Sequence, residues 1–226
     1  MPQTIQAQEV HATPNRQRLS ARSPSAIWLL SGFLWCFALA SAFGQTQEPA
    51  KPVRVRGIVQ NFSTSTLTVL DKGAEVIELQ LPVTTPVTEV FQISITDIQA
   101  GSFIGTAALP QADGTQRAIA VTVFPESARG VGEGHRPFDL LPNSTMTNAT
   151  VAEMVANATG RTLHVKFKDG EKTVAVPKDV PVVTYKPGDR SLLVLGASVS
   201  ISAQIVDEKP TAVRINAARD GFKLPY

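Results

Sequence analysis

The feature that most constrains the fold is an internal near-repeat, in which the pattern of residues 66–118 returns about 95 positions later. The offset is 96 at the leucines, 95 at the prolines and 94 at the alanines, as a one-residue change in a turn would leave. The first copy is marked by Thr66, Leu67, Val69, Pro82, Pro86, Val87, Gly101, Ile104 and Ala118, and the second by Thr162, Leu163, Val165, Pro177, Pro181, Val182, Gly196, Val199 and Ala212. Chance similarity between two β-rich stretches is the alternative, but spacing held over so long a stretch favours duplication.

Each copy has the pattern of short β-strands. Apolar and polar residues alternate over 53–56, and turn signals such as Asp71-Lys72-Gly73 and Asp169-Gly170 separate the strands. Gly57 inside the first strand indicates a bulge or a coil point. About five strands in ~70 residues predict an all-β fold of two small five-stranded OB-like barrels, with an open sandwich as the competitor.

The N-terminal segment has the order of a secretory signal. Three arginines within 16–22 precede an apolar run over 26–42, and small residues close the run. We expect residues 1–44 to be a signal peptide cleaved between Gly44 and Gln45, which makes the protein periplasmic or secreted. The alternative is an uncleaved anchor in the inner membrane, because the run is just long enough to span a bilayer.

The predicted organisation follows the repeat. After the signal segment come a short linker at 45–52, a first barrel at 53–126, a Gly/Pro-rich loop at 127–144 and a second barrel at 145–226.

Removing residues 1–44 also changes the chemistry of the chain. That segment holds Cys36 and both tryptophans, so the remainder has no thiol for a disulfide, a thiolate nucleophile or a cysteine metal site. Residues 45–226 carry 18 basic and 18 acidic side chains, which argues against a nucleic-acid binder. No further apolar run is long enough to cross a membrane. We therefore expect no nucleic-acid partner and no membrane contact beyond the signal segment.

The loop at 127–144 gathers the densest cluster of titratable side chains, Arg129, Glu133, His135, Arg136 and Asp139. Backbone N–H groups of a glycine-rich loop can bind an anion, and His135 could act as a base or a ligand. These residues are the predicted ligand or partner site. The alternative is a flexible connector with solubilising charges. The loop lacks the Lys-Ser or Lys-Thr and the following helix of a phosphate loop.

A metal site is a weaker hypothesis for the same loop. His135 would need Glu133 and Asp139 as further ligands, because the chain after residue 44 has only one other histidine, His164. His164 alternates with apolar neighbours and is interpreted as an outward-facing strand residue. No Gly-x-Ser-x-Gly motif is present after residue 44. We expect no enzyme activity, no catalytic residue and no cofactor.

The repeated unit resembles an uncharacterised bacterial domain family, the domain of unknown function DUF5666. The resemblance is carried by Thr66-Leu67-x-Val69, the turn that ends at Gly73, the prolines before Val87, and 97–105. The central segment, from Arg129 to Ala149, resembles exported proteins in which that domain is paired. The resemblance implies an OB-type barrel, export to the envelope and no established activity, and some such proteins are labelled as metal-transport permeases.

These expectations lead to one functional hypothesis and two alternatives. The leading one is an exported non-enzymatic binding or interaction protein of the cell envelope, with an unknown envelope protein or a small ligand as its partner. The first alternative is a soluble periplasmic accessory in metal binding or transport. The second is an envelope enzyme.

Overall fold

The computed structural model describes residues 53–226. The signal segment 1–44, the cleavage site at Gly44 and Gln45 and the linker 45–52 lie outside the described residues. The all-β prediction is confirmed, since thirteen strands and three short 3-10 helices make up the regular structure of the described part. The strands are β1 Val53–Phe62, β2 Thr66–Asp71, β3 Val76–Gln80, β4 Val87–Gln92, β5 Phe103–Pro110, β6 Gln116–Val123, β7 Gly134–Pro137, β8 Thr145–Asn157, β9 Gly160–Phe167, β10 Gly170–Pro177, β11 Val182–Pro187, β12 Ser198–Val206 and β13 Lys209–Ala218. The helices are Ile95–Asp97, Glu126–Ala128 and Arg190–Leu192.

Alternation along the strands places one set of side chains in the core. Leu67 and Val69 of β2 are fully buried, whereas Thr66 and Thr68, which alternate with them, are partly exposed. The turn to β3 is held by the carboxylate of Asp71, which accepts hydrogen bonds from the backbone N–H groups of Gly73 at 2.7 Å and Glu75 at 2.8 Å. Local sequence therefore explains both the strand and its end.

Five strands close into a barrel in the order β10-β9-β8-β5-β6. All neighbours in this path are antiparallel, and the barrel closes where β10 pairs with β6 in parallel, at Val174 opposite Gln116 and at Ala175 opposite Arg117. Its core contains Ile104 from β5 and aliphatic residues of β8, β9 and β10. We call these five strands the closed barrel.

The same hydrogen-bonded path continues through β11 and β4 into a second group, β13-β12-β1-β2-β3. Here β3 meets β13 at one residue pair, Gln80 opposite Thr211. The second group has its own core, which includes Leu67, Leu79 and Ile201. We call β4 and β11 the bridge strands. They pair antiparallel with each other, β4 pairs in parallel with β13, and β11 pairs in parallel with β6.

The strands are not grouped by sequence half as expected for 53–126 and 145–226. The closed barrel takes β5 and β6 from the first half and β8, β9 and β10 from the second, and the second group takes β1–β3 from the first half and β12 and β13 from the second. The reason is the path of the chain along the bridge strands. Each bridge strand carries the chain across to the opposite group before the next hairpin pairs.

Two local expectations are corrected. Of the two alternatives for Gly57, the bulge is wrong, because the register of β1 on β2 shifts between Val59 and Asn61, and the coil point stays a prediction. A Cβ at Gly57 would instead lie 2.8 Å from the carbonyl carbon of Leu70, so glycine is needed for the close approach of β2. The loop at 127–144 also contains a strand, β7, which pairs antiparallel with β8. Among residues 53–226, no helix has the length and apolar character needed to span a membrane.

Candidate ligand-binding pocket

A pocket of about 400 Å³ is lined by residues of the bridge strands and of strands on both sides of them in the sheet. Its lining comes from β1, β4, β5, β6, β7, β8, β11 and β13 and from the segments that follow β6, β7 and β13. The two ends of this lining meet at the segment after β7, where Phe138 and Asp139 contact Arg54 and Arg56 of β1. The volume lies within the usual range of small-molecule sites, about 300–1,000 Å³.

Three arginines line the pocket, Arg54 on β1, Arg136 on β7 and Arg214 on β13. Arg54 and Arg214 are both opposite Ser202 of β12, so strand pairing places their side chains on one face. Within the described chain, no aspartate or glutamate is among the lining residues. The pKa of Arg54 is lowered by burial and by the charges of Arg56, Arg136 and Arg214, against a raising effect of Asp139. The pocket is therefore cationic.

Arg136 is held by its own loop. Its Nη1 donates to the carbonyl oxygen of Gly132 at 2.8 Å, and β7 is fixed to β8 with Arg136 opposite Met146. Gly132 has a φ of +58°, which L side chains rarely adopt. The loop is fixed further by Asn148, whose Nδ2 donates to the carbonyl oxygen of Val131 at 3.0 Å. These contacts keep the guanidinium of Arg136 at the pocket without a carboxylate partner.

Aromatic rings form the other part of the lining. Phe124 packs edge-on against Tyr185 at a centroid distance of 5.8 Å and against Phe103 at 5.2 Å. Burial raises the pKa of Tyr185 and that of Tyr226, so both phenols are neutral at pH 7. Tyr226 accepts a long hydrogen bond of 3.5 Å from Thr122. The aromatic wall can therefore stack on a flat apolar group and adds no charge.

Gly105 of β5 sets the position of part of this wall. A Cβ at Gly105 would lie 2.8 Å from the ring of Phe124 and 2.9 Å from Oδ1 of Asn148. Glycine lets both side chains pack onto the β5 backbone. Oδ1 of Asn148 is buried without a hydrogen-bond partner, and Nε of Arg56 is the other such atom in the described residues.

Comparisons of the chain with protein-family models, with curated proteins and with solved structures find no match. What the pocket can bind is therefore argued from its own chemistry.

The structure separates the five residues predicted as a site. Arg136 lines the pocket. Asp139 lies beside it and accepts hydrogen bonds from Arg56 at 2.7 and 3.3 Å, with Arg54 at 3.9 Å. Partial burial raises the pKa of Asp139, but the hydrogen bond and charge of Arg56 and the charge of Arg54 outweigh it, so the pKa is lowered. Asp139 therefore fastens the segment after β7 to β1.

Arg129, Glu133 and His135 do not line the pocket. Arg129 pairs with Glu126 at 2.6 Å, which raises its pKa, and also donates to the carbonyl oxygen of Gly101. Glu133 accepts a hydrogen bond from the backbone N–H of Lys168 at 3.0 Å. These contacts fasten the loop to neighbouring elements, and of the five predicted residues only Arg136 is in the lining of this pocket.

The three side chains of the metal hypothesis, those of Glu133, His135 and Asp139, each have a different partner in the structure. His135 pairs through Nδ1 with Oγ1 of Thr147 at 2.8 Å, while Glu133 and Asp139 have partners elsewhere. The pKa of His135 is lowered by burial and by the charge of Lys172. Within residues 53–226, no group of three or more His, Cys, Asp or Glu side chains could hold a metal ion.

His164, interpreted from the sequence as an outward strand residue, lies on β9 and lines a separate polar cleft. Its Nδ1 is 3.2 Å from Oγ1 of Thr173 on the neighbouring strand. Charges of both signs line this cleft, among them Lys166 and Glu171, so they offset one another there.

Sequence reasoning missed most of the pocket. Arg54 and Arg214 lie on strands 160 positions apart, and Tyr185 is in a bridge strand. One signal was available, since the alternation Val53-Arg54-Val55-Arg56 puts two arginines on one face of a strand. Nothing in the alternation indicates which strand that face meets.

Proposed function

We propose that the protein is an exported non-enzymatic binding protein and that its ligand is a small anion held in the arginine-lined pocket. The observation that carries the proposal is the convergence of Arg54, Arg136 and Arg214 on a pocket whose described lining has no carboxylate. Guanidinium groups present paired N–H donors that match carboxylate and phosphate oxygens.

The mutual repulsion of the arginines supports an anionic ligand. Burial lowers the pKa of Arg54, and the charges of Arg56, Arg136 and Arg214 lower it further against a raising effect of Asp139, so the cationic state is disfavoured. An anion among the three guanidinium groups would remove that cost. Such binding is favoured further because the side chains are partly withdrawn from water, where charges interact more strongly.

Support for binding rather than catalysis comes from the lining itself. Among its described residues the only titratable groups are three arginines and two tyrosines, Tyr185 and Tyr226. The burial that raises both tyrosine pKa values leaves neither phenol ready to accept a proton near neutral pH. Export rests on the segment 1–44, and the resemblance to paired DUF5666 domains agrees with a place in the envelope.

The same proposal includes duplication of the fold. We propose that the second group is a barrel of the same type as the closed one. Val90 and Tyr185 lie 95 positions apart, the offset of the sequence repeat, and they face each other in the bridge strands. The parallel contacts also correspond, because Val87 opposite Ile215 and Val182 opposite Val121 occupy matching positions in the two copies. An antiparallel strand pair that has equivalent residues of two sequence copies at its centre is typical of two halves related by a two-fold axis.

The ligand proposal is tested by calorimetric titration of residues 45–226 with sulfate, phosphate and acetate. We expect at least one of these anions to bind and Arg214→Gln to weaken its binding about tenfold, the effect of removing one charged hydrogen-bond donor. Arg117→Gln is the matched control, because Arg117 is an exposed arginine of β6 that does not line the pocket. Absence of binding by any anion, or equal effects of the two substitutions, would contradict the proposal.

A further inference from the structure

The pocket is polarised along the order of its strands. From one side to the other the path runs β6, β11, β4, β13, β12 and β1. Phe124 and Tyr185 belong to the β6 and β11 side, and Arg214 and Arg54 belong to β13 and β1. Arg136 comes from β7, which pairs with β8 on the other side of the pocket, but its charge acts on Arg54, against which Phe138, two residues further along, packs at 5.5 Å.

Strand spacing gives the size of this separation. The backbones of Tyr185 on β11 and Arg214 on β13 are two strands apart, about 10 Å at the usual spacing of about 4.8 Å per strand. They are also four residues apart along the strands, about 13 Å, because Tyr185 is level with Val90 and Ala218. Their side chains approach each other across the pocket, since the charge of Arg214 acts on the pKa of Tyr185. Between them β4 contributes Thr88, which is opposite Asn216 of β13. Both are uncharged polar side chains that line the pocket. Along β11, β4 and β13 the lining therefore changes from aromatic, through neutral polar, to cationic, and one further ring, Phe138, packs against Arg54 at the cationic end.

A ligand that uses the whole lining has to match both ends. We infer that the pocket takes an elongated aryl carboxylate, with its ring against Phe124 and Tyr185 and its carboxylate among Arg54, Arg136 and Arg214. This inference rests on the proposed function and names the ligand class for the same site. An inorganic anion would meet only the cationic end and leave the aromatic wall in water.

The aromatic end is built to receive a ring. Phe124 is held edge-on between Phe103 and Tyr185, at 5.2 and 5.8 Å. Tyr226 lies near Tyr185, since its proximity contributes to the raised pKa of Tyr185. Offset and edge-to-face contacts of a bound ring with such a cluster add to the stabilisation gained from burying apolar surface.

The experiment compares three probes on residues 45–226 by calorimetric titration: 4-phenylbutyrate, butyrate and sulfate. We expect 4-phenylbutyrate to bind about tenfold or more tightly than butyrate, because it alone buries a ring. Phe124→Leu should reduce that preference to about threefold or less and leave butyrate and sulfate unchanged. Tyr185→Phe, which keeps the ring, is the matched control and should retain the preference. Thermal unfolding of each variant checks that it is folded.

The outcomes separate this inference from the proposed function. Binding of sulfate or butyrate with no added affinity for 4-phenylbutyrate would overturn the aryl carboxylate and leave the anion site standing. Equal weakening of all three probes by Phe124→Leu would also overturn it, since Phe124 would then act only on the shape of the pocket. No binding of any probe by the unsubstituted protein would refute both proposals.

Discussion

The exchange of strands between the sequence halves predicts that residues 53–126 alone do not form a folded monomer. This fragment keeps β1 to β6 but loses the partners of several of them. β1 loses β12, to which it is paired at six positions, and β5 loses β8, also at six positions. The bridge strand β4 loses both neighbours, β11 and β13.

The size of the expected destabilisation of fragment 53–126 is estimated from the core of the second group. Nine of the sixteen buried residues in the second group come from residues 145–226, among them Ile201 and Ile215. Seven aliphatic residues that the fragment keeps would lose that cover: Val55, Val59, Leu67, Val69, Leu79, Leu81 and Val87. Complete burial of such a side chain contributes about 1.5–3 kcal/mol, so exposing half of this surface costs about 5–10 kcal/mol. That is comparable to the whole free energy of unfolding of a typical domain, about 5–15 kcal/mol.

The assay compares the fragment with a rearranged chain, in which residues 189–220 are joined by a flexible Gly/Ser linker to residues 53–82. The rearranged chain reunites β12, β13, β1, β2 and β3, so we expect dispersed amide resonances and a cooperative urea transition. We expect neither from fragment 53–126 as a monomer. A dimeric fragment is compatible with the structure, because β5 and β6 of a second copy could replace β12 and β13. A folded monomer of 53–126 would refute the strand exchange.

Further predictions concern single positions. Gly57→Ala should destabilise the protein by about 1–3 kcal/mol in urea denaturation, because the added Cβ meets the backbone of Leu70, whereas Gly73→Ala, which meets only a side chain at 3.3 Å, should change stability by less than about 0.5 kcal/mol. Arg190→Met should cost about 1–3 kcal/mol, since Arg190 donates to three backbone carbonyls around β2 and β3; no loss would contradict this role. Asp139→Asn should cost about 0.2–1 kcal/mol at pH 7, because the Asp139 side chain is 54% exposed and therefore screened, although that of Arg56 is only 13% exposed. The pKa of Asp139 is lowered below 3.8 by folding, so its contribution is complete above that pH and disappears as the pH falls through the folded-state pKa. Denaturation from pH 7 to pH 3 should show the two proteins converging, and a constant difference would contradict the ion pair.

The sequence predicted the strands well because alternation and turns are local properties. The paired buried positions Leu67 and Val69 and the turn at Asp71 are determined by residues within a few positions of one another. In contrast, which strands pair with one another depends on residues far apart in the sequence. Both halves carry the same pattern, so β5 and β6 are as compatible with β8 as with β1, and alternation alone does not distinguish the two arrangements.

The candidate site was predicted less well for a related reason. A cluster along the chain drew attention to residues 129–139, yet only Arg136 of that cluster lines the pocket. The other two arginines lie 160 positions apart in the sequence and are brought together because both are opposite Ser202 of β12. A site assembled from several strands of a curled sheet becomes recognisable once the register is known.

The proposed duplication also explains why the pocket is one-sided. Arg56 pairs with Ser200 and Asn148 pairs with Gly105, and these partners lie 95 positions apart, so Arg56 and Asn148 occupy equivalent places in the two copies. They are also the two residues of the described chain that keep a buried unpaired polar atom. In the first copy this place holds Arg56, which donates a hydrogen bond to Asp139. In the second copy it holds Asn148, whose amide donates a hydrogen bond to Val131 and so fixes the loop before β7. Both asymmetric contacts are made by the segment 127–144, which joins the two copies. An insertion between two equivalent halves would thus have closed the sheet on one side and produced a single polarised site from a symmetric fold.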